Sequence, residues 1–334
     1  MATESWEPLF ATPGRCDHFV QLYQDETFLA RAVFHFLGAG LAKREAAVVM
    51  ATAAHGALVV DRLAAAGFDT SDLMERQQLV ILDAEECLAR FMVADRPDRS
   101  AFLSLVGGVL DEVRSAGFAR LRLYGEMVDL LWDRNLEATL ELEALWSEVI
   151  VDQGISLLCT YRIDNFDRNA HRTILQRLCH CHSHLIPVED YERFDRAVER
   201  AYADVFGASG DVATLRQLLM ADYPASARMP PAQGALMALR QVSPNVADSV
   251  LERAPALPAL GADRGPGLDS PVSPAPAVPA AAPRGPRAPC SRAPDRPASS
   301  GSGSDAGRRS PARPAPSAAG RPAGRLPPPA PRAG

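Results

Sequence analysis

Lysine is almost missing from this chain. Lys43 is the only one in 334 residues, and the other 34 basic residues are arginines. A nucleotide-binding loop of the G-x-x-x-x-G-K-[ST] kind needs a lysine at its end, and Lys43 lies at the far end of the helical pattern that follows the first strand-like run. The arginine bias also means that a single Arg does not read as a selected phosphate ligand. Long apolar runs are lacking too, since no window reaches the roughly 18 residues of a membrane span. The opening Met1-Ala-Thr-Glu-Ser-Trp-Glu7 has no basic segment followed by an apolar one. The expectation is a cytoplasmic protein without membrane contact. The six cysteines, at positions 16, 87, 159, 179, 181 and 290, follow no disulfide-framework spacing. Cys159, inside the apolar run Ile155–Tyr161, reads as a reduced buried thiol. There is no Gly-x-Ser-x-Gly elbow, and no His/Cys/Asp set has catalytic spacing. No helix-turn-helix or kinase glycine motif is visible. These absences argue against an enzyme and against a resident cofactor.

Proline and charge are unevenly distributed. Twenty of the 28 prolines lie after Glu252, in a stretch dominated by Pro, Ala, Gly, Ser and Arg. Such a composition buries too little apolar surface to offset its ordering entropy and reads as a disordered tail. From Ala254 onward there are 11 Arg and 4 Asp, a net of +7, which leaves −13 on the rest of the chain. An acidic body lacks the clustered cations that phosphate contacts need, so direct DNA binding is not expected.

Five short β-type runs alternate with helical patterns. The runs are His18–Tyr23, Ala46–Thr52, Leu79–Asp83, Leu121–Tyr124 and Ile155–Tyr161. Apolar periodicity predicts helices over Thr27–Leu41, His55–Ala66, Asp98–Ala116, Met127–Trp132, Leu136–Ile150 and Ala170–Ser183. Further helices are expected from Pro187 to about Phe206, over Val212–Met220 and over Ala232–Val242. Alternating β and α elements with crossovers of this length imply an α/β fold. Its central sheet is mostly parallel, with about five strands and helices on both faces.

Ligands of such sheets bind beyond the strand C-termini. That rule selects Asp25 and Glu26 after the first run, His55 after the second, Glu126 after the fourth and Tyr161 at the end of the fifth. Tyr23-Gln-Asp-Glu-Thr-Phe28 stands where a phosphate loop would be, with no glycine and two carboxylates at a helix start. Those carboxylates satisfy the helix dipole themselves and repel a triphosphate. On its helix, Glu143 shares a face with Trp146, and Trp146 reads as core. Cys179-His-Cys-His-Ser-His184 is rich in metal-ligand types, and on a helix Cys179 and His182 share one face. No second ligand pair with motif spacing completes them, so no metal site is assigned and these two stay weak candidates.

Taken in order, several segments resemble one family. They are His18–Tyr23, Phe36-Leu-Gly-Ala-Gly-Leu41, Gly67-Phe-Asp69, Leu121-Arg-Leu-Tyr-Gly-Glu-Met-Val128, Leu142-Glu143 with Leu145-Trp146, Leu157–Tyr161 and His182–Pro187. The chain is similar, over about residues 16–190, to the MEDS domain, a methanogen/methylotroph DcmR-type sensory domain. That resemblance implies a RecA/KaiC-like sheet whose phosphate loop has degenerated. It also implies a bacterial sensory module for small organic ligands, working beside a kinase or transcription regulator. The organisation is then an N-terminal extension (1–15), the sensory domain (16–190), a helical extension (191–245) and the tail (246–334). Two rival functions are a protein-interaction adaptor that binds no ligand and a residual nucleotide-binding protein or phosphotransferase.

Overall fold

A computed structural model describes residues 7–188, 190–207, 212–221 and 228–254. In chain order its first elements are α1 (Glu7–Ala11), β1 (His18–Tyr23), α2 (Glu26–Leu41), β2 (Ala46–Ala51), α3 (Ala53–Ala65), α4 (Thr70–Glu75) and β3 (Leu79–Asp83). Next come α5 (Ala84–Phe91), a hairpin of β4 (Met92–Val93) and β5 (Arg96–Pro97), α6 (Arg99–Ser115), β6 (Leu121–Gly125), α7 (Asp129–Trp132), α8 (Leu136–Gln153) and β7 (Ser156–Arg162). The last are α9 (Arg168–Thr173), α10 (Leu175–Cys181), β8 (His184–Ile186), α11 (Tyr191–Phe206), α12 (Val212–Ala221), α13 (Pro231–Val242) and α14 (Pro244–Arg253).

Six strands form one all-parallel sheet in the order β3-β2-β6-β7-β1-β8. Every residue of β2 is buried, because helices cover both faces, and its unbroken apolar run follows from that. Side-chain alternation divides the core. Val20, Leu22, Val48, Leu123 and Leu157 face a cluster that includes residues of α5, α6, α8 and α10. Phe19, Val49, Tyr124 and Leu158 face a cluster with α1, α2, α3 and α4. Each large apolar side chain so buried stabilises the fold by ~1.5–3 kcal/mol. A third cluster holds α11, α13 and α14 together through Val198, Tyr202, Leu236 and Val250.

The α/β class and the mostly parallel sheet are as the sequence suggests; several details differ. A sixth strand, β8, lies between the helices expected over Ala170–Ser183 and from Pro187. It pairs with β1 through Phe19↔His184, Val20↔Leu185 and Gln21↔Ile186. Helix α10 therefore stops at Cys181, and the Cys-His segment passes from helix to strand instead of presenting helical faces. The residues assigned to an N-terminal extension include α1, whose Phe10 is fully buried, 5.3 Å from both Phe19 and Phe36 by ring centroid. The tail does not start at 246, since α14 continues to Arg253 with Ala247, Val250 and Leu251 buried. The rest of the expected tail, from 255, lies outside the described residues. Among the described residues, no helix is long and apolar enough to cross a membrane.

Candidate functional site

The connection from β1 to α2 is Gln24-Asp25 alone. Asp25 caps the helix by accepting the Phe28 N–H at 2.8 Å. A phosphate-cradling loop needs several residues to wrap a ligand with backbone amides, and two residues leave no such length. Glu26 sits in the exposed first turn, 3.9 Å from Arg162, and a pair this open carries little energy.

His55 and Glu126 come together. Glu126, 2% exposed, follows β6 and accepts hydrogen bonds from Thr52 N (2.9 Å), Thr52 Oγ1 (3.3 Å) and His55 Nδ1. Thr52 in turn caps α3, which places His55 in that helix's first turn. The Glu126 carboxylate raises the His55 pKa above its ordinary 6.5, against the opposing effect of burial. Beside this pair, Asp129 accepts from Tyr23 Oη at 2.9 Å and from the Arg162 N–H at 2.7 Å. Burial lifts the Asp129 carboxyl to about 6 despite those two hydrogen bonds. Four strand ends, β1, β2, β6 and β7, thus meet at the segment that follows β6.

That segment also reaches the other face of the sheet. Leu130 and Leu131 wall a cavity of about 540 Å³ with Leu88 and Met92. Glu85, Asp95, Arg134 and Asn135 supply its polar groups. The walls are thus half apolar and half polar, and the cavity is open to solvent on one side. One wall is unusual. Ala94 and Asp95, the turn of the β4–β5 hairpin, have φ of 49° and 61°, a conformation that Gly or Asn adopts with less strain. The Asn135 side chain holds this turn by donating to the Asp95 carbonyl at 2.8 Å.

Tyr161 is not with the other edge residues. It points to the opposite face of the sheet from Tyr23, fully buried, and its hydroxyl donates to Glu143 Oε1. There it borders four buried side chains, His18, Glu143, Cys159 and His182, whose ligand-type atoms lie within 4.8 Å of one another. His18 Nε2 is 3.3 Å from Cys159 Sγ and 3.5 Å from Glu143 Oε2. His182 Nε2 is 3.6 Å from Glu143 Oε1, and the two imidazole centroids are 3.9 Å apart. Burial pushes the Glu143 carboxyl up to about 8 and the His182 imidazole down to about 4; it also lowers His18. Of the weak metal candidates, His182 belongs to this group. The Cys179 thiol does not, and packs in the apolar core instead.

Sequence reasoning passed over Tyr23, Thr52, Asp129 and His18 as site residues. Thr52 had a usable signal, an N-cap residue directly after an apolar strand. His18 had none, because only strand register places it beside Cys159 and His182.

The family model for the MEthanogen/methylotroph, DcmR Sensory domain (MEDS) matches residues 17–183. No curated protein matches the chain. The matched span holds every strand of the sheet up to β7, the edge cluster around Glu126, the cavity and all four buried ligand-type residues, and it makes half of the sequence: the chain belongs to the MEDS family.

Proposed function

We propose that this chain is a sensory and regulatory protein, without catalytic activity of its own, that takes up a small organic ligand at the C-terminal edge of its sheet. The observation that carries this reading is the cavity beside the segment Glu126–Asn135. Leu130, Leu131 and Asn135 touch or hold the cavity wall, while Glu126 and Asp129, on the same segment, hold α3, β1 and β7. A ligand in the cavity would bear on the same segment that holds these strand ends. The ligand suited to it has an apolar body and one or two polar groups. The family's sensory description supports the regulatory role. The two-residue β1–α2 turn counts against nucleotide chemistry, and with it against the phosphotransferase reading and a functional RecA-like phosphate site.

The signal's recipient is a protein partner, a kinase or a transcription regulator. Phe206, Leu218 and Val242, on α11, α12 and α13, are exposed large apolar side chains suited to docking it. Thermal-shift measurements with short-chain alcohols, aldehydes, carboxylic acids and halogenated hydrocarbons test the ligand. At least one class should raise the melting temperature, and Leu131→Trp, which fills the cavity, should cancel the rise. If every compound leaves the temperature unchanged, or the variant responds as the wild type does, the ligand reading fails. Replacing Phe206, Leu218 and Val242 by Ser then separates an adaptor from a sensor, because it removes partner binding and leaves ligand binding intact.

A further inference from the structure

We propose that His18, Glu143, Cys159 and His182 form a closed site for one divalent ion of the zinc type, buried between the sheet and helices α8 and α10. The site is separate from the cavity.

Proton positions carry the case. His18 Nδ1 lies 2.9 Å from the Cys181 carbonyl and His182 Nδ1 lies 2.8 Å from the Leu178 carbonyl. A carbonyl only accepts, so each ring's proton sits on Nδ1 and each Nε2 keeps its lone pair. Both Nε2 atoms are turned toward Glu143, whose Oε1 already accepts from Tyr161. The Cys159 thiol reaches His18 Nε2, but among the described residues no donor reaches His182 Nε2 or Glu143 Oε2. Buried polar atoms orphaned in this way are rare and costly. A cation at their centre satisfies all four groups at once.

Distances and charge agree. Zinc bonds to N or O of about 2.0–2.2 Å and to S of about 2.3 Å set tetrahedral edges of roughly 3.3–3.8 Å. The separations of 3.3 and 3.5 Å from His18 Nε2 fall in that range; His182 Nε2 is 3.6 Å from the other carboxylate oxygen, and all four ligand-type atoms lie within 4.8 Å of one another. A thiolate, a carboxylate and two neutral imidazoles neutralise a doubly charged ion, which suits a dry interior. Two nitrogens, one sulfur and one oxygen are the borderline donor set that zinc accepts. The backbone carbonyls on both Nδ1 atoms and the Tyr161 hydroxyl on the carboxylate are the outer contacts that orient metal ligands. All four positions are filled by protein, so the ion's role is to join β1, β7, α8 and the end of α10, not to activate water.

The test is metal content of the full chain, expressed with zinc and purified without chelator. One zinc per chain is expected, with none in Cys159→Ser or His182→Gln, and with zinc retained when the neighbouring His180 and Cys181 are replaced by Gln and Ser. If these site variants fail to fold, cobalt grown into the wild type decides. A thiolate-to-cobalt charge-transfer band with intense tetrahedral d–d bands supports the site. Wild type that carries neither metal, or octahedral cobalt without the thiolate band, overturns it. Ligand shifts in the cavity are read independently, so failure of one proposal leaves the other standing.

Discussion

Replacing Glu126 by Gln should weaken the fold, and should do so more in mild acid than in base. The wild-type carboxylate accepts from Thr52 N, Thr52 Oγ1 and His55 Nδ1. An amide keeps one acceptor oxygen and puts a donor where the other stood, so one of these donors loses its partner. Hydrogen bonds to a charged group are worth ~1.5–3 kcal/mol each, which sets the loss at about 2–3 kcal/mol near pH 5.5. His55 titrates above 6.5 in the fold, so its ionic contribution is whole below pH 6.5 and fades as pH rises through the folded value. Asp129 titrates near 6 in the fold against 3.8 for a free carboxyl, so its burial costs stability that grows as pH rises from 3.8 and is complete only above about pH 6. The negative charge of Glu126 contributes to that cost, and the amide removes it. Both effects make the substitution milder in base, where the loss should shrink to about 1 kcal/mol. Urea unfolding near pH 5.5 and 9 measures the two losses, and the His55 ring protons followed by NMR measure its pKa directly. Equal losses at both pH values, or a His55 pKa unchanged by the substitution, would refute the reasoning.

Three further outcomes follow from particular contacts. Gly40→Ala places a methyl group 2.6 Å from Arg122 Nε, an atom fixed by Glu45 at 2.6 Å while the same guanidinium reaches the Phe36 carbonyl at 2.8 Å. The alanine's helix preference of ~1 kcal/mol cannot offset the overpacking, so a net loss of about 2–4 kcal/mol is expected in urea midpoint. Asp25→Ala removes an N-cap and should cost about 1 kcal/mol of stability with no change in ligand affinity, measured by denaturation and by titration of a stabilising compound. Ala94→Gly relaxes the positive φ at the hairpin turn and should stabilise the chain by ~0.5–1 kcal/mol, read as a higher melting temperature.

The sheet was legible because parallel strands covered on both faces read as unbroken apolar runs. All five expected strands are present with ends within a residue or two. Strand β8 was not legible: three residues after a His-rich helix end carry no period, and only pairing with β1 makes them a strand. Loop position located Glu126 and His55, because the C-terminal edge of a parallel sheet is fixed by topology. It misplaced Tyr161, whose side-chain direction depends on alternation along β7. The buried quartet draws on residues from 18 to 182, brought together by the register Val20↔Cys159 and by where α8 crosses the sheet. No local spacing encodes such a group. The cavity owes its shape to α5, the hairpin and α7, of which only α7 was expected.

Hydrogen–deuterium exchange of the full chain, with and without a compound that raises its melting temperature, tests ligand sensing most directly. Binding in the cavity should slow exchange in 85–92 and 126–135, around Glu85, Leu88, Leu131 and Asn135, with a lesser effect in the first turn of α3 through Glu126 and His55. Exchange unchanged in both segments, or protection confined to 191–253, would contradict it.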